Sequence, residues 1–270
     1  MSRVKREEQF NISKIWVLKA FAIFCVVCAH SVGDYEGKVG KLIIRIMDMV
    51  GTMGVPVFFI LSGYLFHPEK YTFHAFWKSK VRNIIMPWVF CDTLVWLYVV
   101  LRKGGISLWE WVKFLLGVNH STYYLTVLCF LYLLFWLIKN KKVIVVGAAT
   151  VSFVWLGMIC SGMLDISYTI NYLNPLNWMV YFSVGILLQN VSHDKIFGFC
   201  KRCMPLSMFL LAVSMVLHLR NDWEWTYWSG FSLVNLFLST IVLMGVADLK
   251  IWEGNKLFPA IGKMSFSIYL

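Results

Sequence analysis

Long apolar runs, repeated along the whole chain and separated by short polar clusters, constrain this sequence more than any other feature. They fall at about residues 15–32, 42–66, 84–101, 121–138, 143–161, 176–190, 203–219 and 229–247, and another opens near 257. A run of about 18 or more apolar residues is long enough to cross a bilayer as a helix. Only 14% of the 270 residues are charged and 59% are hydrophobic, whereas soluble domains carry about a quarter charged residues. The expected fold is therefore an all-α integral membrane protein. It is a polytopic bundle of about nine to ten transmembrane helices forming a single domain over 1–270. The stretch Ile261–Leu270 reads as the first half of a span, so the last helix is expected to be truncated or interfacial.

The thirteen Trp, twelve Tyr and twenty-one Phe suit aromatic belts at two membrane interfaces. A formal net charge of +11 would also suit nucleic acid, but the cations fall in short clusters between apolar runs and read as topology signals. Placing the N-terminus in the cytoplasm puts Arg3, Lys5, Arg6 and Lys14 inside. The same side receives the clusters Lys70–Arg82, Lys139–Lys142, Lys195–Arg202 and Lys250–Lys256. Fewer cations, among them Lys38, Arg45 and Arg102, then fall outside. The reading is a multi-pass cell-membrane protein with a cytoplasmic N-terminus and no nucleic-acid partner. No small-x-small cleavage site follows the first run, which reads as a first span and not a secretory signal.

Within that first run, Lys19 and His30 stand eleven residues apart. Eleven steps of roughly 100° return a helix to nearly the same face, roughly 16 Å further along its axis. Two ionisable groups on one stripe of a bilayer span are costly and ask for a reason. Lys19 would lie near the cytoplasmic face, where its long stem also lets it snorkel to headgroups. His30 would lie near the outer face, either as an ordinary wet histidine or as a neutral general base.

Two further stretches stand out. Gly54–Phe66 is an apolar segment with Ser62, Gly63 and Tyr64, residues that equally suit close helix packing. Residues 70–83 mix Tyr71, Phe73, Phe76 and Trp77 with Lys78, Lys80 and Arg82, as an interfacial amphipathic helix does before Pro87. Cys25-x-x-Cys28 and Cys200-x-x-Cys203 lack a second ligand pair at zinc spacing, so no metal is expected. The odd count of seven cysteines, mostly inside apolar runs, implies no disulfide framework. His67, His74 and His193 read as loop or interfacial residues, and His120 as an outer-end residue.

Taken together, these residues resemble the acyltransferase 3 family of polytopic membrane acyltransferases, which O-acylate polysaccharides, lipopolysaccharide, peptidoglycan and related glycans. The family's opening Arg, ten residues, then His is matched by Lys19 and His30, with Lys for Arg. Its Phe-Phe-x-x-Ser-Gly-Tyr is matched by Phe58–Tyr64, and its basic segment leading to Pro by Lys78–Pro87. Its aromatic start Trp-Phe-Leu is matched by Tyr123–Leu125, its Tyr-Phe-x-x-Gly by Tyr181–Gly185, and the start of its last span by Gly262–Leu270. The family's Arg-x-x-Arg reads here as Lys80-Val-Arg82-Asn83, with the second Arg displaced or absent.

The resemblance implies transfer of an acyl group from cytoplasmic acyl-CoA, acetyl-CoA being the expected donor, to a hydroxyl of a cell-surface polysaccharide or lipid-linked glycan. In that reading His30 is the catalytic base or acyl carrier, Lys19, Lys80 and Arg82 bind the donor phosphates, and Ser62, Tyr64 and Tyr123 line the path. Two other classes stay open at this point: a transporter or flippase using Lys19 and His30 as an intramembrane relay, and an inactive truncated homologue.

Overall fold

The computed structural model describes residues 3–31, 37–104, 107–118, 122–139, 141–164, 172–221, 230–252 and 255–269. Among these residues the regular structure is entirely helical. In chain order the helices are α1 (Arg3–His30), α2 (Gly37–Gly51), α3 (Gly54–Tyr64), α4 (Phe73–Lys80), α5 (Met86–Lys103) and α6 (Leu108–Leu115). There follow α7 (Tyr123–Ile138), α8 (Lys142–Cys160), α9 (Leu176–Leu188), α10 (His193–Asn221), α11 (Gly230–Ala247) and α12 (Leu257–Tyr269). Five helical stretches are long and apolar enough to cross a membrane: 13–30, 39–64, 73–102, 142–160 and 193–220. Shorter apolar helices cover 123–138, 176–188 and 234–247. The chain is a multi-pass helical membrane protein.

The apolar run at 42–66 is not one straight span. It breaks at Thr52 and Met53, where α2 gives way to α3 and the Thr52 hydroxyl donates to Met49 O at 2.9 Å. Pro56 falls in the first turn of α3, where its missing N–H has no helical partner to lose. The joint lies hard against α1: a Cβ on Gly51 would fall 2.6 Å from the Ala29 Cβ, and one on Gly54 2.5 Å from Ala22 O.

The basic amphipathic segment expected at 70–83 does form a helix, but it is continuous with the span that follows. Pro87 cannot continue the hydrogen-bond ladder, and the chain absorbs it in a π turn, Val81–Ile85, where Met86 N–H reaches back to Val81 O. Helix α6, which the hydropathy pattern did not single out, folds back on α5, with Trp111 Nε1 donating to Thr93 at 3.1 Å. α10 likewise starts at His193, ten residues before the span read from the sequence, and runs through Pro205.

The core is centred on α1, α3, α7 and α9. Half of the α1 window is buried, against 11% of the window in 73–102, so α1 is central and α4–α5 are peripheral. Val17, Leu18 and Ala22 of α1 are buried with Phe59 of α3, Leu131 and Phe135 of α7, and Trp178 and Phe182 of α9. α3 and α9 cross at two glycines. A Cβ on Gly63 would overlap Phe182 O, and one on Gly185 would overlap Ile60 O. Small residues at such crossings let backbones approach where lipid supplies no hydrophobic drive. The Gln189 side chain bridges the same crossing, donating to Gly63 O at 2.8 Å and to Phe66 O. Gly262 seats α12 on α1, its absent Cβ occupied by the Trp16 carbonyl. α8 is tied to α9 by polar contacts in an apolar setting: Ser152 donates to Leu176 O and accepts from Val180 N, and Trp155 Nε1 donates to Asn177 Oδ1 at 2.8 Å.

Candidate active site

Because α1 is unbroken from Arg3 to His30, Lys19 and His30 keep the roughly 20° offset and 16 Å separation of an ideal helix. His30 is its last residue, with an exposed side chain. Lys19 is half-buried, and its ammonium lies over the Trp16 ring at 4.7 Å.

A second cation joins it from another element. The Lys80 ammonium sits close enough to Lys19 for the two charges to repel. It is held over Tyr132 of α7 at 4.4 Å and over Phe76 at 5.1 Å, positions where the ring faces attract a cation. Three residues before it, on the same helical face, Trp77 presents a buried indole N–H with no hydrogen-bond partner among the described residues. Arg82 differs: it falls in the π turn and is exposed, one residue past the point where the helix widens. Lys19 and Lys80 are thus brought together, and Arg82 points to the surface.

The three residues expected along the path do not converge. Ser62 faces α7, hydrogen-bonded to Tyr124 at 3.2 Å. Tyr64 faces α10, edge-on to the His193 ring at 5.0 Å, and lines a small cavity with Leu18 and Phe197. Tyr123 packs on Tyr172 at 4.9 Å and Trp178 at 5.8 Å. The neighbouring Tyr124, not Tyr123, is the partner of the Ser-Gly-Tyr segment. Only the packing of α7 against α3 distinguishes the two.

The depth of these contacts shapes the site. Gly51 meets Ala29 one residue before His30. Tyr124 and Trp178, at the starts of α7 and α9, meet α3 at Phe59, with ring centroids 4.7 and 5.2 Å away. Gly54, at the start of α3, meets Ala22 O, and Phe59 lies five helical residues, roughly 8 Å, further from the His30 end. The helical parts of α7 and α9 therefore begin near the level of Lys19. The segments 119–121, with the sequence candidate His120, and 165–171 lie outside the described residues.

Some important groups carried no readable signal. Lys14 looked like a flanking cation. It is 6% exposed, paired with Asp248 at 2.5 Å and with Asp194 at 3.6 Å. Lys201 reaches the other Asp248 oxygen at 4.0 Å. This cluster locks the Lys14 ends of α1, α10 and α11 together. His218 is buried in α10, one turn beyond Ser214, which donates to Asn235 of α11 at 2.7 Å. Of the remaining histidines, His67 contacts Glu69 at 3.0 Å and His74 is exposed. All seven cysteines are free, and among the described residues no group of three or more His, Cys, Asp or Glu side chains is placed to hold a metal.

No curated protein and no solved structure matches the chain. A family model described as an acyltransferase domain does match, over residues 12–270. That range takes in Lys19, His30, the α3–α9 glycine crossing and Lys80. The chain therefore belongs to the acyltransferase 3 family of membrane acyltransferases.

Proposed function

We propose that the protein moves an acyl group, acetyl in the first instance, from cytoplasmic acyl-CoA to a hydroxyl of a cell-surface polysaccharide or lipid-linked glycan. The observation that carries this reading is the acyltransferase family match over residues 12–270, with Lys19 and His30 on one stripe of the unbroken helix α1. With the N-terminus cytoplasmic, as the distribution of basic residues suggests, Lys19 and Lys80 face the donor pool and His30 faces the acceptor. The nucleotide phosphates bind Lys19, Lys80 and the Trp77 indole N–H, with Arg82 attracting them at the surface. The pantetheine arm runs along the roughly 16 Å between Lys19 and His30.

At the outer end His30 takes the proton of the acceptor hydroxyl as the oxygen attacks the thioester carbonyl. The C–S bond breaks, and the departing thiolate takes the proton from the imidazolium, leaving an O-acyl ester and free coenzyme A. If His30 instead carries the acyl group, the same atoms are exchanged in two steps through an acyl-imidazole.

The test is transfer from radiolabelled acetyl-CoA to endogenous glycan in membranes, comparing wild type with His30→Ala at matched expression. The expected result is loss of transfer by a factor of about 10²–10⁴ with coenzyme A binding retained. Equal transfer in both overturns the assignment. Rapid quench and denaturation then distinguishes an acyl-protein from direct transfer.

A further inference from the structure

A groove of about 290 Å³ runs between α9, α10 and α11, outside the ion-pair cluster and away from Lys19 and His30. Its floor is apolar and buried: Ile60, Ile196, Cys200 and Met244 are each less than 10% exposed. Along α11 it extends from Met244 to Phe237, seven residues or about 10 Å. It therefore lies along the helices and not across them. That length fits within the ~15 Å of one leaflet's hydrocarbon.

The charge at its mouth is specific. Lys195 lines the groove from the first turn of α10 and is exposed, on the same stripe as Phe199, which is 61% exposed. The adjacent Asp194 is turned to Lys14, so the carboxylates of this end are engaged in the cluster, whereas Lys195 stands over the groove. Asp194 of the Lys14 cluster is the neighbour of Lys195, so the cluster and the cation lie at the same end of the groove.

We propose that this groove is a binding site for an anionic glycerophospholipid, with one acyl chain along α11 and the phosphate at Lys195. An apolar channel of single-leaflet depth with one cation at its polar end matches that ligand in length, polarity and charge. A chain seated there packs on Ile60 and Leu188, which also line the cavity beneath Tyr64. The lipid therefore supports the seam between α3, α9 and α10 from the bilayer side. The inference does not depend on acyl transfer or on which way the chain is oriented.

The experiment is native mass spectrometry of the full chain released from mild detergent, with dioleoyl-phosphatidylglycerol or dioleoyl-phosphatidylcholine added. The expected result is one retained phosphatidylglycerol under activation that strips phosphatidylcholine. Lys195→Glu lowers phosphatidylglycerol occupancy about tenfold, and Lys195→Arg restores it. Thr240→Trp, which fills the groove, removes the retained phosphatidylglycerol as well. Retention of phosphatidylglycerol by Lys195→Glu at the wild-type level overturns the proposal, as does equal retention of the two lipids by wild type. A lipid-free dimer that Thr240→Trp converts to monomer also overturns it and assigns the groove to a second copy. Should Thr240→Trp fail to fold, the exposed Lys195 pair decides alone.

Discussion

Replacing Gly185 with alanine places a methyl carbon over the Ile60 carbonyl oxygen, 2.7 Å from Tyr64 N and 3.0 Å from Gly63 C. Every one of these neighbours is backbone, so no side chain can swing aside. Restoring ordinary contact of about 3.5 Å requires α3 and α9 to part by roughly 1.4 Å. That displacement stretches the Gln189–Gly63 hydrogen bond from 2.8 Å to beyond hydrogen-bonding range, at a cost of about 1 kcal/mol. Overpacking costs about 1–3 kcal/mol, and the better helix propensity of alanine returns at most about 1 kcal/mol. The net loss is about 1–3 kcal/mol, or roughly 2–5 °C in Tm for a chain of this size. Gly147 and Gly157 of α8 provide the control, since a Cβ there meets nothing within 4 Å. Gly147→Ala should be neutral or stabilising by up to about 1 kcal/mol. Thermal unfolding in detergent, followed by intrinsic Trp fluorescence, measures all three. If Gly185→Ala unfolds at the wild-type temperature, or Gly147→Ala is the more damaging change, the close crossing of α3 and α9 is wrong.

Removing the carboxylate of Asp248 should destabilise the fold by about 3 kcal/mol, the lower end for breaking a buried pair, because Asp194, 77% exposed, still reaches Lys14 at 3.6 Å. The double variant Lys14→Met/Asp248→Leu should recover most of that loss in the same unfolding assay, and a failure to couple would show the pair to be incidental. Lys19→Ala and Lys80→Ala should each raise the Kd for coenzyme A about tenfold in titration calorimetry. Arg82→Ala should do less, and its effect should fade at 1 M salt, where the Debye length is about 3 Å. The reverse order would move the phosphate site to the surface. Asn177→Leu leaves the Trp155 indole without its acceptor and should cost about 1–3 kcal/mol. Unchanged melting would mean that α8 is not anchored to α9 there.

The class of fold is legible in the sequence, because an apolar run either is or is not long enough to cross hydrocarbon, and no distant contact changes that length. So is the shared stripe of Lys19 and His30, which needs only an unbroken α1 and a period of 3.6. The motif glycines were readable as close-packing positions, but not that Gly63 and Gly185 pack against the same crossing, 122 residues apart in sequence. The spans beginning near 84 and 203 were placed too late for a related reason. Local pattern ends a helix at a proline or a charge cluster, whereas a π turn at Val81–Ile85 and the docking of α10 carry the helix through.

Tertiary structure alone decided which cations meet. Lys14, Lys19, Lys80 and Arg82 are equivalent by composition. One is neutralised by Asp194 and Asp248, two oppose each other over aromatic rings, and one is left in water. A charge acquires its role from the partners and dielectric that packing assembles around it, and those partners come from helices distant in sequence, as Lys14 and Asp248 show. That is why Ser62 found Tyr124 and not Tyr123, and why Lys14 appeared as a topology signal until the ends of α10 and α11 closed over it.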